Sequence, residues 1–201
     1  MSKNHFDFGS ALVIVAHPDD EVIWCGGFIL AHPEWDWTVL SLCRADDIDR
    51  RPKFERVCAE LGAKALITTV DDSEPPMDID PGVHIGSRIR TLTEDGEWGL
   101  VLTHGWNGEY GHQRHVEAHM VVHDLVIDGD LWCQALWSFA YDFDNRRRAC
   151  RPAHNADVRF RLTPELLARK QELITAVYGY APDSFEARGC ISPEAFNKHR
   201  I

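Results

Sequence analysis

Residues 11–21 read ALVIVAHPDDE, an apolar run followed directly by a histidine, a proline and three carboxylates. Residues 11–16 show no alternation of apolar and polar side chains, which is the pattern of a β-strand covered on both faces. Residues 21–30 predict a helix, with Asp20 placed to cap its N-terminus. The stretch therefore predicts the first strand, loop and helix of an α/β fold.

Strand and helix signals continue to alternate downstream of this stretch. Further strands are predicted at residues 37–43, 65–70, 100–103 and 133–139, and further helices at residues 52–61, 83–93 and 112–127. Apolar strands that alternate with helices of about ten or more residues indicate βαβ units and a mostly parallel sheet. We therefore predict a single doubly wound, Rossmann-like α/β domain over residues 1–201, with helices on both faces of the sheet.

The pattern changes in the last third of the chain. Residues 157–162 alternate like an edge strand, and residues 164–178 predict a helix with proline in its first turn. Residues 179–201 show no strong periodicity. We therefore expect the core of the domain at about residues 10–140 and a C-terminal extension, residues 141–201, of unclear role.

The charge balance excludes several classes of partner. The chain carries 21 basic and 32 acidic residues, a formal charge of −11. Binding to phosphate backbones depends on Lys and Arg, so this balance argues against nucleic acid, and likewise against an anionic membrane surface. No stretch approaches the roughly 18 apolar residues of a membrane span, and no leader pattern is present. We expect a cytoplasmic protein without membrane insertion.

The cysteines predict small core residues and neither a zinc ribbon nor a redox motif. The six are Cys25, Cys43, Cys58, Cys133, Cys150 and Cys190, and no two are closer than fifteen residues. This spacing contains no CxxC pair. Scattered cysteines in apolar company usually pack in the core, and their use here agrees with a reducing compartment.

The loop after the first strand is where chemistry is expected, because ligands in open α/β sheets bind beyond the carboxyl ends of the strands. A dinucleotide-binding protein would carry GxGxxG there, whereas this chain has His17-Pro18-Asp19-Asp20-Glu21. Carboxylates repel phosphate and are the hard ligands that cations prefer. The loop therefore predicts a metal site and argues against a dinucleotide site.

A second cluster, residues 104–115 (HGWNGEYGHQRH), follows the fourth strand. His112 and His115 are three residues apart and share one face of the predicted helix. The first and fourth strands flank the switch in strand order of a doubly wound sheet, so the two loops should face each other. One histidine and one aspartate from the first loop and one histidine from the second would make three metal ligands. A fourth position then remains for water, as in catalytic zinc sites.

The adjacent aspartates Asp19 and Asp20 cannot easily face the same ion. We expect one to bind the metal and the other to act as general base toward the water that a zinc site activates. His112, near the metal but free of it, would stabilise the oxyanion or protonate the leaving amine. His119 and His123 continue the helical face, but each helical turn rises about 5.4 Å and places them too far along. We interpret these two as packing or lip residues.

The motifs AHPDDE (residues 16–21) and GHQRH (residues 111–115) resemble those of the LmbE-like, PIG-L-type zinc de-N-acetylases. This family hydrolyses the acetamide of N-acetylglucosamine-type sugars. The resemblance covers roughly residues 10–140, and the first motif matches without a gap. It implies an LmbE-like α/β fold and a metal-dependent amidohydrolase.

The resemblance also implies roles for the residues of both motifs. His17, Asp20 and His115 take the positions of the family's metal ligands. Asp19 takes the position of the general base. His112 takes the position of the acid or electrophile beside the metal.

Further matches lie around these motifs. Tyr110 resembles a tyrosine that some members place over the substrate carbonyl, Arg51 an arginine that binds the sugar, and Asp72 a substrate-binding aspartate. Many members carry an aspartate where this chain has Arg114. An arginine there would favour the neutral imidazole of His112.

The resemblance implies a zinc-dependent hydrolase that removes an acetyl group from an N-acetylglucosamine-type amino sugar or conjugate. The expected partner is a small N-acetylated sugar or glycoside, and Fe²⁺ is the alternative ion in the cell. Two alternatives stay open: a metallohydrolase of another amide or ester, such as a natural-product glycoside, and a non-catalytic metal-binding homologue. The sequence leaves open the aglycone and the oligomeric state, a homo-oligomer included.

Overall fold

The computed structural model describes residues 7–72, 81–93 and 96–201. The strands within these ranges are β1 (Ser10–Val15), β2 (Asp36–Ser41), β3 (Ala63–Ile67), β4 (Trp98–Thr103), β5 (Cys133–Phe139), β6 (Tyr141–Asp144), β7 (Ala149–Pro152), β8 (Val158–Phe160) and β9 (Glu194–His199). The helices are α1 (Asp20–Ala31), α2 (Arg50–Leu61), α3 (Pro81–Thr93), the short α4 (Gly108–Gly111), α5 (Gln113–Ile127), α6 (Pro164–Glu172) and α7 (Phe185–Gly189). A π-helical segment, Leu173–Tyr178, continues α6.

Seven strands form one sheet in the order β3-β2-β1-β4-β5-β9-β8, and β6 and β7 form a separate hairpin. The pairs among β1 to β5 are parallel, whereas β9 and β8 are antiparallel additions at one edge. The strand order reverses between β1 and β4, as predicted, so their carboxyl-terminal loops meet at the switch point. The predicted fold class, an α/β fold with a mostly parallel sheet, is confirmed.

Helices cover both faces of the sheet. One apolar cluster joins β1 and β2 to α1, α2 and the π-helical segment around the buried Phe28 and Phe54. A second cluster joins the opposite face to α3 and α5. All six cysteines are free and buried, as predicted. No helix among the described residues is both long enough and apolar enough to cross a bilayer.

The start of α1 differs from the prediction. Asp20 is the first helical residue and does not cap the helix, while Asp19 holds the N-cap position without a side-chain capping bond. Asp19 has φ 122°, a backbone conformation that L-residues rarely adopt. Glu21 supports this turn, because its carboxylate accepts the Asp19 N–H at 3.0 Å. Neither aspartate side chain caps the helix, so both are available to the site in the loop after β1.

The helix predicted over residues 112–127 agrees with α5, which begins one residue later. His112 is the N-cap of α5, and its Nδ1 accepts the backbone N–H of Arg114 at 3.2 Å. The helical turn α4 precedes it, and Glu109 inside that turn has φ 59°. This turn lies in the loop before the predicted helix and was not predicted.

The tail contains structure that its sequence did not indicate. The strand β9 inserts between β5 and β8, which makes β8 the edge strand that its alternation predicted. The β9 sequence carries a glutamate, Glu194, on its buried side, which hides the apolar pattern of a strand. Glu194 accepts hydrogen bonds from the Lys170 ammonium and from the backbone N–H groups of Gly27 and Phe28. A buried ion pair therefore ties β9 to α6 and α1.

Candidate metal centre

Three side chains meet at the switch point with the spacing of a metal site. His17 Nδ1, Asp20 Oδ2 and His115 Nε2 form a triangle in which each side measures 3.3 Å. Zinc bonds of about 2.0–2.1 Å in tetrahedral geometry place ligand atoms roughly 3.3 Å apart. The structure therefore brings together the three residues that the sequence assigned to the metal, at distances that fit such an ion.

Each histidine of the triangle is held by a carboxylate on its other ring nitrogen. His17 Nε2 contacts Asp72 Oδ1 at 2.9 Å, and His115 Nδ1 contacts Glu109 Oε2 at 2.6 Å. Such pairs are typical of metal-binding histidines because they fix the tautomer and the direction of the ring. Asp72, predicted to bind substrate, thus lies beside a metal-site histidine and also receives the Arg44 guanidinium at 2.7 Å.

Asp20 is oriented and kept ionised by its neighbours. The indole N–H of Trp24 donates to Oδ1 at 2.8 Å, and the His17 backbone N–H donates to Oδ2 at 2.9 Å. Burial alone would favour the neutral acid, but His115 and His104 lower the pKa of Asp20 well below its usual range. The Oδ2 atom therefore presents a carboxylate oxygen to a cation.

His104 lies beside the site, but neither of its ring nitrogens is free to bind a metal. Its Nε2 accepts the backbone N–H of Ala16 at 2.9 Å, so the ring proton lies on Nδ1 and points to Glu109 at 2.9 Å. The ring stacks on His115, with a centroid distance of 3.8 Å. Glu109 Oε2 is thus hydrogen-bonded to two imidazole rings. These contacts lower the pKa of Glu109 to about 2, although burial acts in the opposite direction.

Asp19 lies next to the triangle and accepts hydrogen bonds from two residues that are distant in sequence. Arg50 Nη1 lies 3.1 Å from Oδ2, and the Tyr180 hydroxyl donates to the same oxygen. Burial and the charge of Asp20 raise the pKa of Asp19 to about 7, although Tyr180 and Arg50 act in the opposite direction. A base with a pKa near neutrality suits proton transfer at physiological pH.

His112 and Tyr110 form the opposite wall. His112 lies against His17 and His115 with ring centroids 4.7 and 4.6 Å away. Burial, followed by the charges of those two histidines, lowers the pKa of His112 to about 4. These causes favour the neutral imidazole, whereas Arg114, which the sequence suggested as the cause, pairs with Glu117. Because Nδ1 accepts the Arg114 N–H, the His112 proton lies on Nε2.

These groups line a cavity of about 210 Å³. The predicted residues on its wall are His17, Asp19, Asp20, Asp72, Tyr110 and His112. The C-terminal extension, whose role the sequence left unclear, contributes Tyr180, Phe185 and Glu186 to the same wall. The site therefore draws on both the predicted core and the last quarter of the chain.

One predicted residue is placed elsewhere. Arg51 points away from the cavity, where its guanidinium pairs with Glu55 on the exposed face of α2. The neighbouring Arg50 lines the cavity in its place. The helical phase of α2 causes this difference, because adjacent residues on a helix point about 100° apart. The sequence carried a signal for Arg50, since two arginines stood side by side at the helix start.

Three other residues of the site were missed. They are His104, Glu109 and Tyr180. His104 and Glu109 contact each other five residues apart, but neither belongs to the two matched motifs. For Glu109 and His104, membership of the cluster at residues 104–115 was the available signal. Tyr180 lies in a segment without periodicity, and its contact with Asp19 spans 161 residues.

Comparisons with known proteins agree with this arrangement. Residues 12–126 match the PIG-L family, described as GlcNAc-PI de-N-acetylase. A 1D-myo-inositol 2-acetamido-2-deoxy-alpha-D-glucopyranoside deacetylase of Corynebacterium diphtheriae is 25% identical over 163 residues, which are 64% of this chain and 55% of that protein. The chain thus spans about half the length of this curated relative.

Solved structures share the fold at low sequence identity. An N,N'-diacetylchitobiose deacetylase from Pyrococcus horikoshii superposes with a TM-score of 0.66 at 17% identity, over 95% of this chain and 84% of that one. The 4-carboxy-2-hydroxymuconate hydratase GalB from Pseudomonas putida superposes with a TM-score of 0.61 at 17% identity, over 96% and 97%. The fold therefore hosts more than one chemistry, and function must be argued from the site. The family match covers more than half of the chain, including both motifs of the triangle, and the chain belongs to the PIG-L family.

Proposed function

We propose that this chain is a zinc-dependent de-N-acetylase of an N-acetylglucosamine-type amino sugar or its conjugate. The observation that carries the proposal is the 3.3 Å donor triangle with a carboxylate of raised pKa, Asp19, beside it in a polar cavity. The family match and the deacetylases among its relatives support this reaction class.

His17, Asp20 and His115 would hold the ion. A zinc ion bound by three protein ligands acts as a Lewis acid and lowers the pKa of water to roughly 7. Two imidazoles and one carboxylate form a ligand set suited to this ion, and carboxylates on the far ring nitrogens strengthen such ligands. The bound metal would also displace the protons that the apo histidines carry.

Asp19 is the general base of the proposed reaction. Its carboxylate accepts a proton from the attacking water while the water oxygen bonds to the acetamide carbonyl carbon. The carbon–nitrogen bond then breaks, and the amine leaves with a proton returned from Asp19. The acyl product is acetic acid, which gives its proton to the amine or to solvent and becomes acetate, and the other product is the amino sugar. The water oxygen and one hydrogen thus enter the acid, and the second hydrogen enters the amine.

His112 and Tyr110 would stabilise charge on the carbonyl oxygen. The neutral His112 ring offers an Nε2–H, because its Nδ1 is occupied as the cap of α5. A donor fixed in this way costs little reorganisation when negative charge develops. The Tyr110 ring stands 5.7 Å from His112 and lines the same cavity, so its hydroxyl is a second candidate donor.

The cavity suits one sugar residue. Its volume of about 210 Å³ lies below the roughly 300–1,000 Å³ typical of sites for drug-sized ligands. Arg50 and Glu186 offer charged groups to sugar hydroxyls, and Phe185 offers an aromatic wall. We propose that Arg50 fills the sugar-binding role assigned to Arg51 from the sequence, while the aglycone extends beyond the cavity.

The test is acetate release from a panel of N-acetylated sugars by the zinc-loaded protein. Asp19→Asn should lower kcat by on the order of 10²–10⁴ and leave zinc bound. His17→Ala and His115→Ala should lose the metal, while Asp124→Asn on the exposed side of α5 serves as control. Full activity in Asp19→Asn would exclude the assigned base. Stoichiometric zinc without turnover on any amide or ester would instead favour the non-catalytic alternative.

A further inference from the structure

A second group of histidines lies between α5 and β9, outside the cavity. His119 and His123 are one turn apart on α5, and His199 lies at the end of β9. The ring centroids of His199 are 5.6 Å from those of His119 and His123, which stand 6.2 Å from each other. The three rings therefore form a compact triangle that links a helix to the sheet.

These separations approach those of a metal-bound set. Imidazoles bound to one zinc ion at about 2.0–2.1 Å in tetrahedral geometry have ring centroids roughly 5 Å apart. The observed triangle is wider by about 0.6–1.2 Å, so the rings would have to move closer together on binding an ion. Histidines four residues apart on one helical face are also a recurring pair of zinc ligands.

Two of the three rings already use one nitrogen in a hydrogen bond to the protein, as metal-binding histidines do. His119 donates from Nδ1 to the His104 carbonyl at 2.9 Å, which leaves Nε2 with a free lone pair. His199 Nε2 pairs with Ser138 Oγ at 2.8 Å, which leaves Nδ1. Metal-binding histidines usually make such a bond with the nitrogen that does not face the metal. His123 makes no ring hydrogen bond to any other described residue, so either nitrogen can turn inward.

Burial favours the neutral rings of His119 and His199. Burial is the first cause that lowers the pKa of both His119 and His199, and neighbouring histidines lower it further. Neutral imidazole is the ligating form. All three side chains are half-buried, so an ion can reach them from solvent. The charge of Asp157 acts in the opposite direction on the pKa of His199, and the same negative charge would attract a cation.

We propose that His119, His123 and His199 form a second site for a divalent transition metal, preferentially zinc. This ion would bridge α5 to β9. The site would be structural, because it links the helix that begins beside the candidate metal centre to the strand that completes the sheet. Its connection to that centre runs through the His104 carbonyl, which accepts the His119 bond, and the His104 ring, which stacks on His115.

The first experiment counts metal ions. Protein stripped by a chelator is titrated with zinc by calorimetry, and bound zinc is measured by elemental analysis after desalting. The expected result is two equivalents for the wild type, one for His123→Asn and two for His154→Asn, an exposed histidine on a distant loop. Equal stoichiometry in the wild type and His123→Asn would overturn the proposal.

His17→Ala separates this site from the candidate metal centre. If both proposals hold, His17→Ala and His123→Asn each lose one equivalent and the double variant loses both. If only the second site exists, His17→Ala changes nothing while His123→Asn still loses its ion. If only the centre exists, the reverse holds and the second-site proposal fails.

A measurement on the wild type covers the case in which His123→Asn does not fold. Crystals grown with two equivalents of zinc are examined for anomalous scattering at the zinc absorption edge. A peak between the three rings, within bonding distance of His119 Nε2 and His199 Nδ1, supports the proposal. Density that is well defined for the rings and shows no peak between them contradicts it.

Discussion

The hydroxyl of Tyr180 hydrogen-bonds to the Oδ2 atom of Asp19, a contact between residues 161 positions apart. Arg50 contacts the same oxygen and also stacks its guanidinium over the Tyr180 ring, 4.8 Å from the centroid. The proposed base is therefore positioned by residues that its own loop does not contain. The loop after β1 supplies the carboxylate, and α2 and the C-terminal region set its direction and charge.

Removing the Tyr180 hydroxyl should shift the pH profile. This bond favours the ionised carboxylate, so Tyr180→Phe raises the pKa of Asp19. Because the base must be ionised, the acid limb of kcat against pH moves to higher pH. A lost hydrogen bond to a charged group, about 1.5–3 kcal/mol, corresponds to a roughly tenfold to hundredfold loss in kcat/KM at neutral pH. Tyr110→Phe is the control, and it should leave the acid limb in place. An unchanged acid limb in Tyr180→Phe would contradict the positioning role.

The two adjacent arginines of α2 should behave differently. Arg50→Met is expected to lower kcat/KM by roughly tenfold to a hundredfold, because a charged donor to Asp19 and the substrate is lost. Arg51→Met removes an exposed ion pair, worth about 0–1 kcal/mol in stability, and a long exposed hydrogen bond to the Ala45 carbonyl, and should keep kcat/KM within about twofold. Steady-state kinetics on both variants shows which of the two arginines acts in the site. A large loss in Arg51→Met alone would restore the sequence-based assignment.

Weakening the support of His115 should weaken metal binding. In Glu109→Gln the ring nitrogens of His115 and His104 face a neutral amide instead of a carboxylate. Changes of this kind typically cost about 10–100-fold in metal affinity. Competition against a chromophoric chelator measures the zinc Kd, and Glu55→Gln on the exposed face of α2 is the matched control. An unaltered Kd in Glu109→Gln would show that the carboxylate does not act on the metal.

The ion pair between Lys170 and Glu194 should dominate the stability of the last strand. Both side chains are fully buried, and the distance between Nζ and Oε1 is 2.6 Å. Lys170→Met leaves a buried carboxylate without its cation, which typically costs about 3–5 kcal/mol in the free energy of unfolding. The double variant with Glu194→Gln should recover part of this loss. Urea denaturation followed by circular dichroism measures both; a cost below about 1 kcal/mol for Lys170→Met would contradict the expectation.

Local patterns were sufficient to predict the fold and the place of a metal site, whereas the choice of His17, Asp20 and His115 as its ligands came from the family resemblance. The apolar runs of β1 and β4 are followed by a loop with one histidine and two aspartates and by a loop with three histidines, which placed candidate ligands at one edge of a parallel sheet. Strand order then brought the loops together, because the switch point is a property of the topology. The roles of individual atoms, such as Nδ1 of His17, required the structure.

Long-range contacts and helical phase could not be predicted from these patterns. An error of one residue was enough to exchange Arg50 for Arg51, since their side chains point in different directions on α2. Tyr180 and Glu194 act through contacts with residues more than 150 positions away, and no periodicity marks them. Glu109 occupies a backbone conformation with positive φ, which no side-chain pattern marks.

The insertion of β9 into the sheet also governs the order of assembly. Within the described chain β8 pairs only with β9, so it has no sheet partner until residues 194–199 have been synthesised. Until then β5 presents an open edge, which is a template for unwanted pairing between nascent chains. A chain cut before Glu194 would therefore lose more than a terminal strand: it would expose the flank of the sheet and become prone to aggregation.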